Sequence, residues 1–502
     1  MNNKTPSCSL SELLASALSD AVLAPIKDIR VTGITLDSRQ VIEGGVFVAL
    51  KGVNSNGADY IASAIAKGCH AVLCELDGEE ANKVTYVSDV PVVHIKNLNG
   101  QLSTIASVFY QYPQHDLKLI GITGTNGKTT VTQLISQWLE RLGHRTYSLG
   151  TLGNGFTGQL VESPNTTLNA IDLIAHLADA KTYGAEYVVM EVSSHGLALG
   201  RVKALTFDVA AFTNLSQDHL DFHGDMGSYA NAKKQLFSAQ YSKEAVLNGN
   251  DATALAWAQD WHYENAMSSF GQKLPHASHY LLASDVRYQS DGISATIESS
   301  FGQGHLQSQL LGQFNLDNLL CAINVLCLVG LELSAILKLA PMIEAVPGRM
   351  EVFQVANSPT VVVDYAHTPD ALAQAIQACR RHCHGTLYAL FGCGGDRDNS
   401  KRPQMAQAAQ KHADGLIITQ DNSRSESFDD ILQHILSGLM TREHVVVEAN
   451  RQFAVVQAIN SAQYGDIVLL AGKGHENYQL IDQQRIDYDE RALAKQTVES
   501  YK

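Results

Sequence analysis

Residues 119–130 read Leu-Ile-Gly-Ile-Thr-Gly-Thr-Asn-Gly-Lys-Thr-Thr, a short apolar run that breaks into a glycine turn and continues as a helix. Gly124 and Gly127 let the backbone curl so that successive N–H groups point at one spot. The helix from Thr129 onward, with Val131, Leu134, Ile135, Trp138 and Leu139, aims its positive end there. Such a cradle fits anionic oxygen. Lys128 would reach the β- and γ-phosphates of a nucleotide as a point charge, and the Thr129 hydroxyl stands where loops of this kind hold Mg²⁺. The usual phosphate-loop pattern has a glycine five residues before Gly127, where this chain has Ile122, with Gly121 one residue too early. The bland alternative is a surface turn before a helix. The direct succession of strand-like run, glycine turn and Lys-Thr-Thr favours a nucleoside triphosphate site.

The chain has 502 residues, enough for about three domains of roughly 100–200 residues each. Its 45% hydrophobic content supports buried cores, and its net charge of −15 argues against a general nucleic-acid or membrane-surface role. Phosphate affinity must therefore be local. Ser9-x-x-Glu12 and Asp20 interrupt the N-terminal apolar stretch with a capping pattern and a charge, so no export signal is expected. No apolar run approaches 18 residues, and no bilayer-spanning helix or stable membrane association is expected. The eight cysteines lack paired zinc spacing, and free thiols in a reducing cytoplasm are expected.

Residues 1–97 alternate strand-like runs (Gly45–Leu50, Ala71–Cys74, Val92–Ile95) with an alanine-rich helical stretch, Tyr60–Lys67: a small α/β unit. Its turn-rich pieces Thr35–Arg39 and Lys51–Gly57 either bind a polar ligand or, the simpler reading, close the chain. A helical stretch Leu102–Tyr110 ended by Pro113 leads into the phosphate loop and a middle domain, 98–338. There Glu186–Val192 and Phe207–Phe212 are continuous apolar runs of the kind buried in mainly parallel sheets. Ligands gather beyond the carboxyl ends of such strands, so the loops 123–128, 191–196 and 213–221 should share one rim. Glu191 and His219 thereby become Mg²⁺-ligand candidates, against the ordinary readings of a hydrogen-bonding strand-end Glu and a lone His. Pro347-Gly-Arg349 reads as a hinge into a third domain, 339–502. Its strands Thr360–Asp364, Leu387–Phe391, Leu416–Thr419 and Ile467–Leu470 again end in polar motifs, which predicts a second doubly wound, Rossmann-like sheet. Arg397 and Arg424, at neighbouring strand ends, either grip a carboxylate or phosphate or simply face solvent.

Five stretches occur in order: Thr123-Gly-Thr-Asn-Gly-Lys-Thr-Thr130, Glu191-Val-Ser-Ser-His-Gly196, Thr213-Asn-Leu-x-x-Asp-His-Leu-Asp221, Leu311-Gly-x-Phe-Asn-x-x-Asn318 and Asp364-Tyr-Ala-His-Thr-Pro369. Together they resemble the Mur ligase family over essentially the full length. The resemblance is strongest to those members that add meso-2,6-diaminopimelate to UDP-N-acetylmuramoyl-L-alanyl-D-glutamate. It implies a uridine-nucleotide domain, a central ATPase domain and a C-terminal domain that brings the amino acid. The implied reaction phosphorylates the D-glutamate γ-carboxylate with ATP and lets an amine displace phosphate. The implied setting is a cytoplasmic monomer making peptidoglycan precursors, with small-molecule substrates and no nucleic acid.

Residue by residue, the resemblance assigns the ATP loop to Gly124, Thr125, Asn126, Gly127, Lys128, Thr129 and Thr130, with Asn315 facing adenine and Arg349 and His367 contacting the nucleotide. Leu36, Ser38, Val53, Asn54 and Ser55 would meet the nucleotide end of the UDP substrate. Asn165, Thr166, Thr167, Ser193 and Arg201 would meet its muramoyl dipeptide. Mg²⁺ would lie on Thr129, Glu191 and His219, with Lys233 as a CO₂-derived carbamate supplying an oxygen ligand in place of an ammonium. Arg397, Asp421, Asn422, Ser423, Arg424, Gly472 and Glu476 would form the diaminopimelate pocket, the arginines on its distal carboxylate and Glu476 on its distal ammonium. The base for the attacking amine is left open between His367 and deprotonation in solution.

Two positions depart from the family pattern. Leu199 stands where members often carry Gln, removing an amide contact to the muramoyl substrate. Ser423 stands where the diaminopimelate signature has proline, removing that loop's ring constraint. Arg424 remains, and a lysine-adding enzyme would gain nothing from it. The competing readings are that lysine-adding counterpart, a folylpolyglutamate synthetase without a uridine domain, a phosphate-loop motor or switch with no amine substrate, and a nucleotide-sugar binding protein.

Overall fold

In the computed structural model, residues 6–52, 56–78, 81–163, 165–289 and 292–501 are described. The chain divides into two compact units, one comprising Met1–Ser269 and Leu274–Ser278, the other Phe270–Lys273 and His279–Lys502. The first unit contains a two-stranded antiparallel ribbon, Cys8–Ser9 with Arg30–Val31, and strands of two larger sheets. The smaller of these two has the strand order Ile34–Thr35, Val46–Ala49, Ala71–Glu75, Val90–Ile95, Lys83–Val87, parallel except for the last pair. The strand Lys83–Val87 carries too few buried residues to stand out as an apolar run.

In the larger sheet the strands of this unit run Gly153–Phe156, Thr146–Gly150, Tyr187–Glu191, Lys118–Thr123, Phe207–Phe212, Ser242–Asn248, Ala266–Phe270. From Gly153–Phe156 to Ser242–Asn248 the pairs are parallel except the hairpin at Gly153–Phe156. Its central strands are buried on both faces, which explains their unbroken apolar character. Strand register sets where the loops emerge. Glu191 pairs with Ile122 and Phe212 with Thr123, so three strands end at one level and release their loops to one edge. The phosphate loop leads directly into the helix Lys128–Arg141, whose Val131, Leu134, Ile135, Trp138 and Leu139 are buried.

The second unit begins with an antiparallel meander, His279–Gln289, Gly292–Ser299 and Gly302–Ser308, followed by the helices Gln313–Leu328 and Leu333–Leu339. A six-stranded sheet then has the order Glu351–Phe353, Thr360–Asp364, Ile467–Ala471, Leu387–Phe391, Gly415–Ile418, Val445–Val447, parallel except at its first strand. Apolar clusters cover both of its faces, as a doubly wound sheet requires. The His-Thr-Pro motif has a local purpose here. Thr368 caps the helix Pro369–Arg380 by accepting from the Ala371 N–H, and Pro369 fills the first helical position, where no N–H is needed. All eight cysteines are free. No helix among the described residues is long and apolar enough to cross a membrane.

Candidate active site

The phosphate loop is held open by its neighbours on the sheet edge. Gly124 has φ +146°, and a Cβ built on it would lie 1.9 Å from Thr213 Oγ1, so only glycine fits. The Asn126 N–H donates to Asn214 Oδ1 at 3.0 Å and the Thr125 N–H to the Asn214 carbonyl at 2.8 Å. Thr125 Oγ1 lies 3.1 Å from both the Ser216 carbonyl and the Tyr229 hydroxyl. Lys128 Nζ folds back to donate to the carbonyls of Gly124 and Thr125, at 3.0 and 2.9 Å. It can exchange those two neutral acceptors for phosphate oxygens without any change of backbone.

Behind the loop, Glu191 is buried and fully engaged. Its Oε2 accepts from Thr129 Oγ1 at 3.0 Å and Thr151 Oγ1 at 3.2 Å, and its Oε1 from the Thr151 N–H at 2.8 Å. His219, in the left-handed conformation at φ +53°, packs against His195 and Tyr229, with Nε2 3.5 Å from Asp218. Burial lowers its pKa, and the charges of Lys128 and Lys233 press the same way against Asp218, so His219 is favoured as neutral imidazole. Lys233 is 1% exposed and donates to the Gly124 carbonyl at 2.8 Å. Burial, then the nearby Lys128 charge, drives its pKa well below the ordinary lysine value. Among the described residues no three His, Cys, Asp or Glu side chains converge as an all-protein metal cage would. The Thr129 hydroxyl and the Glu191 carboxylate, 3.0 Å apart, are oxygen donors of the kind Mg²⁺ takes beside waters and phosphate oxygens.

The muramoyl-side candidates form a second hydrogen-bonded group on the same edge. Thr167 Oγ1 donates to the Glu191 carbonyl at 2.9 Å and accepts from the Ser193 N–H at 2.9 Å, while Arg201 Nη1 reaches the Thr167 carbonyl at 2.6 Å. Thr166 meets Thr151 through their hydroxyls, 3.1 Å apart. Ser193 also caps the helix Ser194–Ala198 through the Gly196 N–H. Asn165 is exposed, Leu199 closes the helix Ser194–Ala198, Ser38 is buried and Leu36 partly so. Val53, Asn54 and Ser55 lie outside the described residues.

In the second unit, Asn315 is buried and its amide donates to the Leu311 carbonyl while Oδ1 accepts from Asn318. The helix bearing it begins at Gly312, whose N–H donates to His382 Nε2 at 3.0 Å, and His382 Nδ1 faces the Gln289 carbonyl at 2.5 Å. Those two partners require the neutral, Nδ1-protonated ring, in keeping with the downward shift that burial imposes on His382. Arg349 lies 4.3 Å over the Tyr365 ring, and His367 Nδ1 is 2.7 Å from the Tyr365 carbonyl. Gly348, at φ +67°, presses so closely on the Gly474 peptide that an added Cβ would come within 2.1 Å of it.

The amino-acid candidates meet where the strands Leu387–Phe391, Gly415–Ile418 and Ile467–Ala471 end. Arg424, at φ +54°, is pinned by its N–H to the Leu480 carbonyl, and its Nη1 donates to the Gly395 carbonyl at 2.8 Å. Arg397 is exposed, and a Cβ built on Gly394 would lie 3.6 Å from its Cγ and 3.0 Å from Arg424 Nη1. At Ser423 the structure supplies a constraint that the loss of proline seemed to remove. The Ser423 N–H, which proline lacks, donates to the Asp421 carbonyl at 3.1 Å, and its Oγ accepts from Gln420 Nε2 at 2.9 Å. Hydrogen bonds thus close the loop in place of a ring. Three participants escaped the sequence reading. Thr151 and Tyr229 carry no motif, whereas Lys473 sits inside the Gly472–Glu476 stretch, where a lysine between two glycines was the available signal.

Three family models match this chain: the Mur ligase family catalytic domain over residues 30–110, the Mur ligase middle domain over 122–326 and the Mur ligase glutamate ligase domain over 348–474. The chain belongs to the Mur ligase family. It is 46% identical over 488 residues to the UDP-N-acetylmuramoyl-L-alanyl-D-glutamate--2,6-diaminopimelate ligase of Vibrio vulnificus, covering 97% of this chain and 98% of that protein. The protein of that name from Haemophilus influenzae is 44% identical over 468 residues, covering 93% and 96% of the two chains. A solved structure of a UDP-N-acetylmuramoyl-L-alanyl-D-glutamate--2,6-diaminopimelate ligase superposes with a TM-score of 0.70 at 34% identity, covering 98% of this chain and 99% of the other. The α/β Mur ligase fold is therefore established for this chain, with its sheets mainly parallel.

Proposed function

We infer that this Mur ligase joins an amine of meso-2,6-diaminopimelate to the D-glutamate γ-carboxylate of UDP-N-acetylmuramoyl-L-alanyl-D-glutamate, converting ATP to ADP and phosphate in peptidoglycan precursor synthesis. The observation that carries the choice of amino acid is Arg424, locked in a left-handed conformation on the Asp421–Arg424 loop beside Arg397. Two guanidinium groups suit the distal carboxylate that diaminopimelate has and lysine lacks. The boundaries 1–97, 98–338 and 339–502 are the domain division we propose, with a cytoplasmic, monomeric enzyme.

The γ-phosphoryl group passes to a γ-carboxylate oxygen, giving acyl phosphate and ADP. The amine nitrogen then bonds the acyl carbon, the C–O bond to phosphate breaks, and the amine loses a proton to solution or to His367. Lys128 and the N–H groups of the phosphate loop gather the phosphoryl oxygens, and Thr167, Ser193 and Arg201 orient the acceptor. Thr129, Glu191 and His219 would hold Mg²⁺, which would supply neutralisation of charge on the phosphates. Burial that favours the neutral Lys233 amine suits that residue to carbamylation, because the free amine is the form that attacks CO₂. With ¹³C-bicarbonate the protein is expected to show a carbamate carbon resonance that Lys233→Met lacks. An identical resonance in both would remove this role.

The deciding experiment is phosphate release from ATP with the UDP-dipeptide and Mg²⁺, comparing meso-diaminopimelate with L-lysine. Release should follow diaminopimelate, with the tripeptide seen by mass. Arg424→Ala should lower kcat/KM for diaminopimelate roughly 10- to 100-fold, the worth of a hydrogen bond to a charged group. Preference for lysine in the wild type, or unchanged diaminopimelate kinetics in Arg424→Ala, would overturn the reading.

A further inference from the structure

Lys473 follows the strand Ile467–Ala471 and is fully buried. Its Nζ donates to Asn422 Oδ1 at 2.9 Å and Glu476 Oε2 at 2.7 Å, and lies 3.6 Å from Asp421 Oδ1. It thus joins three residues of the proposed amino-acid pocket, from two separate loops. Asn422 Nδ2 donates to the same Glu476 Oε2 at 3.0 Å, and Asn422 Oδ1 accepts a further bond from the Leu480 N–H. Glu476 Oε2 is therefore committed twice, whereas Oε1 accepts no hydrogen bond among the described residues.

We propose that Lys473 is the positioning residue that makes this pocket select a zwitterionic side-chain terminus, by holding Glu476 through Oε2 so that Oε1 stays available and by cancelling carboxylate charge beneath it. The inference rests on the proposed role of the pocket in holding diaminopimelate. The charges in and against it are Asp421 and Glu476 on one side and Lys473, Arg397, Arg424 and, behind Asp421, Arg451 on the other. Without Lys473, the two carboxylates would face the site with less compensation, and a side chain ending in a lone ammonium would gain. With Lys473 in place, an ammonium finds one open oxygen and must bring its own carboxylate for the arginines. The state of Asp421 agrees with this arrangement. Burial alone would raise its pKa, but Lys473 and then Arg451 outweigh burial and hold the carboxyl below its ordinary range. Removing Lys473 thus exposes charge that the fold otherwise neutralises internally.

The test uses full-length protein and steady-state phosphate release with ATP, Mg²⁺ and the UDP-dipeptide, varying meso-diaminopimelate or L-lysine. Wild type, Lys473→Met, Glu476→Gln and the double variant are compared. Lys473→Met should raise KM for diaminopimelate at least about tenfold, change kcat at saturation by less than about threefold, and cut the diaminopimelate-over-lysine ratio of kcat/KM at least about tenfold. Affinity for a non-hydrolysable ATP analogue should not move, which a general loss of structure would not permit. In the double variant the KM should lie within about threefold of that of Glu476→Gln, since Arg451 still compensates Asp421 and Lys473 otherwise acts through Glu476. Wild-type KM and selectivity in Lys473→Met would overturn the inference alone. Wild-type release indifferent to diaminopimelate would overturn the underlying reading and the inference with it. If Lys473→Met fails to fold, the double variant, with no Glu476 charge left to compensate, decides: KM within about threefold of that of Glu476→Gln supports the role, and a further loss of about tenfold overturns it.

Discussion

Lys128→Ala is expected to lower ATP-dependent phosphate release by at least about 10³-fold, the scale on which phosphoryl-transfer sites depend on a fixed cation. Phosphoryl transfer asks little covalent chemistry of the protein, so charge placed over the moving phosphoryl group is most of what the side chains can contribute. Lys128 is the first residue of the helix Lys128–Arg141, and its ammonium rests on two carbonyls of its own loop. Those contacts are local, whereas the loop itself is held by Thr213, Asn214 and Ser216. Truncation should therefore leave the melting temperature nearly unchanged while activity disappears. Lys128→Arg should recover only a small part, because a planar fork cannot occupy the place of a compact point charge. The measurement is phosphate release beside a thermal melt. Activity within about tenfold of wild type would show that the loop's N–H groups suffice without the lysine, and that a fixed cation matters little at this site.

Glu490→Ala should be the most destabilising single substitution in the second unit, by about 3–5 kcal/mol, the cost of leaving a buried ion without its partner. Arg451 and Glu490 are both fully buried, joined by Nε–Oε2 and Nη2–Oε1 contacts of 2.5 and 2.9 Å. Tyr488 also donates to Glu490 at 2.8 Å, and Arg451 Nη2 donates to the Ala471 carbonyl at 2.8 Å. Alanine would strand the guanidinium, whose Nη1 already has no hydrogen-bond partner among the described residues. The Ala471 contact ties this pair to the strand end that feeds Gly472 and Lys473, so the proposed amino-acid pocket should loosen as well as the fold. At roughly 2–4 °C per kcal/mol for a unit of this size, the melting temperature should fall on the order of 10 °C. Arg451→Met with Glu490→Leu should recover most of that loss, since exchanging both partners for apolar groups removes the desolvation cost together with the attraction. A fall of less than about 2 °C in Glu490→Ala would mean that water enters to hydrate Arg451, and the pair would then count for little.

The phosphate loop was legible because all it needs is local. A strand, two glycines and a helix start are encoded within twelve consecutive residues, and their order dictates an anion cradle whatever else the chain does. The parallel sheets were legible for a related reason: strands buried on both faces must be apolar throughout. Less visible was the meander His279–Ser308. Its strands are half exposed and interspersed with glycine, serine and glutamine, so no continuous apolar run announces them. The loss of proline at Ser423 misled in the opposite direction, since its compensation is a hydrogen bond from a backbone N–H that every non-proline residue has.

The sequence by itself determined the fold class and the family, and it named the groups we propose for gripping phosphate and carboxylate, because each of these is carried by residues adjacent in the chain. Only the tertiary structure decided which of those groups share hydrogen bonds. Thr151 reaches Glu191 across 40 positions, Arg451 reaches Glu490 across 39, and Lys473 reaches Asn422 across 51. Such partnerships depend on strand order and register, which bring distant strand ends to one edge of a sheet. Register is settled by the packing of the whole core and leaves no mark at the residues it brings together.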